Sequence, residues 1–365
     1  MDAIVGVPAI IDFRLSKMEF HGVTPVEQLD AALARDGPLL ALAPMQDITD
    51  LPFWRLLAKY GGPDVYYTEY FRVYPCSRLQ RDILRSITEN PTGKPVIAQM
   101  IGNDVEALIR TARELQEHPI AGVDLNLGCP APVVYRKCAG GGLLREPERV
   151  DAILGALRET VEVRFTVKTR LGFETKELFD RFLGIFEKHS PDLVTVHGRT
   201  VKEMYGPTVD YEHIARAVEV LTCPVLANGN VDSALTAAFV LNVTGSRGLM
   251  IGRGAIRNPW IFDQIRQSVR GLPVFVPTGR DLLNYIRDLY ESVKPPDLRI
   301  EAHVQKMKKY MNFVAVGIDA EGQFLHQIRR VTTEQDFFAV CERFLDHAGE
   351  AFPDQAQSAF TRLAA

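Results

Sequence analysis

Three side chains able to move protons or steady charge stand within short apolar runs of this chain. VDLNLGCPAP (123–132) alternates like a strand and then stops on Cys129, between Gly128 and Pro130. RFTVKTRL (164–171) carries Lys168 among apolar and β-branched neighbours, with Arg170 two residues on. DLVTVHGR (192–199) ends on His197 and Arg199. A free thiol has a pKa of about 8.5 and is mostly protonated at neutral pH, so Cys129 is a candidate acid. A lysine cation can stabilise developing negative charge, and an imidazole can donate a hydrogen bond. Five more runs also end on polar or special residues. PLLALAPM (38–45) gives Pro44, Met45 and then Gln46; PDVYYTEY (63–70) gives Glu69, with Arg72 beyond. KPVIAQMIG (94–102) contains Gln99, CPVLANGN (223–230) ends on Asn228, Gly229 and Asn230, and RGLMIGRG (247–254) ends on Gly252 and Arg253. One polar residue at a strand end is ordinary; a set on eight consecutive runs reads as one site. Gln99 and Lys168 lie inside apolar segments, where burial without a partner costs several kcal/mol. Something polar is expected to meet them.

The elements that would hold these residues follow from periodicity. DVEALIRTARELQEH, EPERVDAILGALRETV, TKELFDRFLGIFEKH and DYEHIARAVEVL place apolar residues three and four apart, as amphipathic helices do. Asp232 and Asn258–Pro259 read as helix starts. Near-continuous apolar strands alternating with helices imply a parallel sheet covered by helices. Eight such units over residues 38–270 predict a (β/α)8 TIM barrel, whose chemistry sits at the C-terminal ends of the strands; a doubly wound open sheet is the alternative. Past residue 275 the strand signal ends and RDLLNYIRDLY, AHVQKMKKYMNFV and TEQDFFAVCERFLDHA read as helices, with Val304, Met307, Met311 and Val314 on one apolar stripe and the prolines of VKPPDL separating two of them. The organisation predicted is an N-terminal extension (1–37) holding one helix in TPVEQLDAALAR, a barrel (38–270) and a helical domain (275–365). The glycine turns ANGN and GRG follow strands seven and eight, where barrels of this kind commonly bind phosphate. A phosphate there, with Lys168 and Gln99 inside, suits flavin mononucleotide (FMN) better than NAD, because no GxGxxG follows an early strand.

Composition sets bounds. Hydrophobic residues make up 46% and charged residues 24%, an ordinary globular balance. The net charge of -4 means that a nucleic-acid partner must be met by a local basic face. No run approaches the roughly 20 apolar residues of a membrane span, and the opening MDAIVGVPAIIDFRLSK has its bases after its apolar part, unlike a signal peptide. Five cysteines without a CxxC pair argue against a disulfide framework or a zinc ribbon and point to the reducing cytoplasm, with no metal and no membrane.

In order along the chain, APM, QMIG, DLNLGCP, VKTRLG, VHGRT, ANGN and MIGRGA resemble the motifs of tRNA-dihydrouridine synthases. The resemblance runs from about residue 39 to 262, and the helical region beyond suits the same family. It implies an FMN-dependent barrel enzyme that reduces the C5–C6 double bond of particular uridines in tRNA with NADPH, its C-terminal helical domain helping to hold the tRNA. By similarity, Pro44, Met45, Gln46, Gln99, Lys168, His197, Asn228, Gly229, Asn230, Gly252 and Arg253 are FMN-binding positions. Cys129 matches the proton donor, and Asn126 and Arg170 match positions near the target uridine. TEYFRV, with Arg72, resembles the strand-two segment of the bacterial C-type enzymes. Asn230 stands where the family usually has an acid, and CAGGGLL departs from the usual GAGAALL by adding Cys138.

The resemblance implies a chemical role for the cysteine. Hydride delivered to C6 of the uracil leaves C5 in need of a proton, and the thiol supplies it. Pro130 stiffens the turn, and Gly128 is expected to leave room for the base. From Arg299 to Arg330 the chain has six bases (Arg299, Lys306, Lys308, Lys309, Arg329, Arg330) and three acids (Glu301, Asp319, Glu321), a local net of +3. This face is expected to meet tRNA phosphates. Two rival readings are an FMN barrel oxidoreductase acting on a free pyrimidine or other small molecule, and a non-catalytic RNA-binding homologue.

Overall fold

The computed structural model describes residues 22–294 and 300–353. Nine strands form one parallel sheet: β1 (Leu39–Leu42), β2 (Val65–Tyr67), β3 (Phe71–Arg72), β4 (Val96–Ile101), β5 (Gly122–Leu127), β6 (Arg164–Arg170), β7 (Leu193–His197), β8 (Val225–Asn228) and β9 (Gly248–Ile251). β1 pairs with both β2 and β9, and β2 pairs with β4, so eight strands close into a barrel. The open-sheet alternative is excluded. The ninth strand, β3, prolongs the β2 side of β4: Tyr66 and Tyr67 face Val96 and Ile97, and Phe71 and Arg72 face Met100 and Ile101. The single run expected at 63–70 is thus broken. At the break the Thr68 hydroxyl takes the Gln99 amide N–H at 3.0 Å in place of a main-chain acceptor. The chain swings away there, at the level of Glu69 and Tyr70.

Strand periodicity sorts the side chains. Leu40, Leu42, Val123, Leu125, Phe165, Val167, Val194 and Val196 are fully buried on the outer face, in the cluster that includes the surrounding helices. Leu39, Ala41, Val65, Tyr67, Ile97, Leu193, Leu226 and Met250 form a separate cluster inside the barrel. Leu29 belongs to that inner cluster, with Ala32 and Leu33 packed on it. The helix Pro25–Ala34, started by a Thr24–Glu27 capping box, therefore plugs the N-terminal end of the barrel, and Arg164 fixes it with two hydrogen bonds to Asp30 of 2.9 and 2.7 Å. The one helix expected in the N-terminal extension is this structural stopper.

Helices Val105–Leu115, Pro147–Thr160, Phe179–His189 and Tyr211–Val220 cover the strands as their spacing predicts. The helix expected from Asp232 begins at Ala234, with Ser233 as its cap. Asn258 ends a short helix, and the next one begins at Ile261 after Trp260. Beyond the barrel lie helices Gly279–Ser292, Ile300–Val314, Gln323–Ile328 and Glu334–Leu345. Val304, Met307, Met311 and Val314 are all fully buried, as their stripe requires. Tyr310 ties this region to the barrel: its hydroxyl donates to Ile48 O at 3.1 Å and its ring stacks on Phe53. The prolines of VKPPDL and the residues before 22 and after 353 lie outside the described residues. Among the described residues no helix is long and apolar enough to cross a membrane.

Candidate active site

The inward positions of successive strands change from apolar to polar towards the C-terminal end of the barrel. The first polar layer is closed on itself. Asp124, fully buried, accepts from Gln99 Nε2 at 2.7 Å and from the Thr166 hydroxyl at 2.6 Å. Burial pushes its carboxyl up to about 6, against the lowering effect of these bonds and of Lys168. The polar partners expected for Gln99 include two from its own chain: Asp124 and Asn126, both from β5. Asp124 went unread because it looked like the wet half of an alternating strand. The signal was present, since Asp124 and Asn126 are two residues apart and must share the inner face.

Asn126 builds the turn that carries the thiol. Its Oδ1 accepts the N–H groups of Gly128 and Cys129, both at 2.9 Å, while its Nδ2 donates to Gln99 Oε1 at 2.8 Å. Within the protein it fixes the direction of Cys129. Arg170 is likewise a clamp. Its Nε donates to Gly128 O at 2.9 Å, and its Nη1 donates to Thr200 O and Met204 O at 2.8 and 2.9 Å. A Cβ on Gly128 would lie 3.3 Å from Arg170 Cγ, so the space left by this glycine is filled by arginine rather than kept for a base. The clamp holds the loop that projects Tyr205, which is 55% exposed and has the guanidinium carbons of Arg253 and Arg170 at 5.3 and 5.9 Å from its ring centre.

On the other side of the thiol stands Tyr70, another residue missed in sequence. Its phenol is next to Cys129 and Arg72, and burial foremost, then the thiol, pushes it up to about 12. Glu69 projects near the β1 loop and accepts the Asp47 N–H. Burial, with Asp50 and Asp47 nearby, pushes its carboxyl up to about 7.

Lys168 donates to Asn228 Oδ1 at 3.1 Å, and Asn228 Nδ2 donates to Met250 O at 2.7 Å. Burial first, then Arg170, brings the lysine down to about 8, with Asp124 opposing. His197 Nε2 lies 2.9 Å from Arg199 Nη1. Arginine can only donate, so Nε2 is the acceptor and the ring proton sits on Nδ1. Burial and the surrounding cations hold His197 well below its ordinary pKa, hence neutral. Arg199 also donates to Asn230 Oδ1 at 2.8 Å, Arg253 reaches the same oxygen at 3.5 Å, and Asn230 Nδ2 donates to Pro207 O at 2.7 Å. The amide of Asn230 is therefore taken up in tying two arginines to the Tyr205 loop.

Gly229 and Asn230 both have positive φ, 133° and 49°, giving the tight turn expected of ANGN. GRG differs from expectation. Gly252 precedes the helix Arg253–Arg257, so Arg253 and Gly254 are already helical, and a Cβ on Gly254 would lie 2.1 Å from Val231 O. That glycine serves packing. A Cβ on Gly252 would meet Met45 Sδ at 3.1 Å, which brings the ends of β1 and β9 together. Beside Pro44 and Met45, Gln46 has its Oε1 buried without a partner.

The basic stretch of the helical region is less open than its count implied. Lys306 is half-buried, donating to Val293 O at 3.0 Å and lying 3.9 Å from Asp50. Lys308 donates to Arg329 O, Arg329 to Asn312 and Arg330 to His326 O, while Lys309 is exposed. Arg299 lies outside the described residues. Of the five others, Lys309, Arg329 and Arg330 are exposed and Lys306 is turned inward.

A closed (β/α)8 barrel with a thiol, an ammonium and a neutral imidazole at its mouth defines an enzyme-like class. The model of the dihydrouridine synthase (Dus) family matches residues 41–351, and the chain belongs to that family. It is 35% identical over 228 residues to tRNA-dihydrouridine synthase B of Vibrio parahaemolyticus, covering 62% of this chain and 70% of that protein. It is 29% identical over 314 residues to tRNA-dihydrouridine(16) synthase of Neisseria meningitidis, covering 84% and 94%. Histamine dehydrogenase from Rhizobium sp. 4-9 shares the fold, with a TM-score of 0.52, 13% identity and coverage of 72% of this chain and 51% of that one.

Proposed function

We propose that this protein is an FMN-dependent tRNA-dihydrouridine synthase. The observation that carries the reading is the turn of Cys129, held by Asn126 and Arg170 on the rim of a mouth that also holds Lys168 and His197. The residues fit a flavin. Gln46 has an unpartnered buried oxygen, His197 keeps its proton on Nδ1, and the positive φ of Gly229 and Asn230 makes the tight turn after β8. Pro44, Met45, Gln99, Lys168, Asn228, Asn230 and Arg253 complete the set that would hold it, Gln99 and Asn230 through the neighbours they position. Bound FMN, recharged by NADPH, would supply hydride to C6 of the uracil.

The chain's own residues do the rest. Cys129 delivers its proton to C5. Lys168 and the arginines near His197 steady the negative charge that builds on the ring and its carbonyl. His197, kept neutral by burial and by its cationic neighbours, donates from Nδ1 without giving up a proton. Tyr70 and Arg72 flank the thiol. Acting on tRNA with free thiols, the protein would work in the cytoplasm. The test compares NADPH-dependent reduction of uridine in tRNA with reduction of free uridine. Activity on tRNA alone is expected; equal activity on both would favour a small-molecule oxidoreductase, and tRNA binding by a colourless protein would favour a non-catalytic homologue.

A further inference from the structure

Lys306 is turned to Val293 and Asp50, so the helical region offers a polyanion fewer bases than its count. Residues 70–81, YFRVYPCSRLQR, contain three arginines and no acid, in a chain of net charge -4. Arg72, Arg78 and Arg81 are exposed, and none forms an ion pair among the described residues; the first acid after them is Asp82. Between them Tyr74 is 56% exposed.

The loop is braced from beneath. Arg110 donates to Pro75 O at 2.7 Å and to Tyr74 O and Ser77 O, both at 3.2 Å. The Ser77 hydroxyl bridges the N–H and C=O of Tyr74 at 3.0 and 2.9 Å. Gln80 accepts from Arg72 N at 3.1 Å and donates to Arg78 O at 3.1 Å. The loop's main chain is thus braced at several points, which leaves the side chains of Arg78, Arg81 and Tyr74 for a partner with little further ordering of the backbone.

Its place is next to the thiol. Val73 N donates to Ile101 O at 2.8 Å, at the C-terminal end of β4. A Cβ on Gly140 would touch both Ile101 Cδ1, at 2.8 Å, and Cys129 Cβ, at 3.0 Å, so Gly140 joins the root of the loop to the turn of Cys129.

We propose that the 72–81 loop is a tRNA-docking surface, its arginines taking phosphates near the base presented to Cys129 and Tyr74 stacking on an unpaired neighbour; the proposal rests on the tRNA-modifying function above. Arginine guanidinium groups suit phosphate, and aromatic faces accept single-stranded bases of any sequence.

The test measures tRNA affinity across a salt series for the wild type, Arg78→Ala/Arg81→Ala, Arg78→Lys/Arg81→Lys and Tyr74→Ala, with circular dichroism to show that each is folded. Each phosphate contact contributes about 0.7–0.9 to the slope of log affinity against log salt, so the double alanine variant should lose about 1.5 of that slope and the double lysine variant should keep it. Tyr74→Ala should weaken binding by about 5-fold or more at unchanged slope. Flavin content and NADPH oxidation should not change. Wild-type affinity and slope in the double alanine variant, with the wild type still making dihydrouridine, would overturn the docking surface and leave the function intact. A wild type that neither binds nor modifies tRNA would instead overturn the function, and this proposal with it.

Discussion

Replacing Lys168 by methionine should make the cofactor-free protein more stable while making the enzyme worse. The lysine's pKa falls from 10.5 to about 8 on folding, chiefly through burial. At about 1.4 kcal/mol per pKa unit, holding the cation in the mouth costs about 3 kcal/mol at neutral pH. Its hydrogen bond to Asn228 returns about 1 kcal/mol, so the methionine variant should gain about 2 kcal/mol. The pH dependence has a definite sign. Below about pH 8 the lysine is charged in both states, and the full cost is present. Between about 8 and 10.5 the unfolded chain binds more protons than the folded one, so wild-type stability rises with pH and the advantage of the variant shrinks. Urea unfolding of both cofactor-free proteins at pH 7 and pH 10 measures this. A variant less stable than wild type at pH 7, or a difference that does not change with pH, would show that the buried cation carries no such cost. Activity should move the opposite way, because the charge that destabilises the fold is the one that steadies the reaction.

Three further outcomes follow from the site. Cys129→Ala should keep flavin and tRNA binding and flavin reduction by NADPH, but lose about 10²–10⁴-fold in single-turnover dihydrouridine formation, the usual worth of a general acid. Asn126→Ala removes the acceptor of two N–H groups and the donor to Gln99; unfolding should show a loss of about 2–4 kcal/mol, and thiol alkylation should quicken as the turn loosens. Arg199→Met should release His197 from its single tautomer and raise its pKa, which nitrogen NMR of the labelled ring would show as a titration absent from the wild type.

The barrel was legible because its strands are buried over most of both faces and its helices are amphipathic, so the two periods alternate along the chain. The break at Thr68 was not, since it depends on a hydroxyl replacing a main-chain acceptor across to β4. Within the site, residue types showed where the polar mouth would be but not which side chains would be spent on one another. Gln99, Asn126, Arg170 and Asn230 look alike in sequence as ligand-binding candidates, and each is committed first to positioning a neighbour. Tyr70 and Tyr205 were passed over because neither interrupts an apolar strand; one lies at a strand break and the other on a loop held by Arg170. The charge count from 299 to 330 did not show which of the bases face outward. Counting along a helix ignores its direction, and Lys306 points at Asp50 and Val293 rather than outward.

Whether this protein reduces uridine within tRNA can be read from the mass of the nucleosides released from an unmodified tRNA transcript after incubation with the purified protein, FMN and NADPH. The expected product is uridine made heavier by two hydrogens at one or a few positions, dependent on NADPH and lost in Cys129→Ala. Unchanged uridine in tRNA, from a protein that binds flavin and oxidises NADPH, would contradict the proposed function.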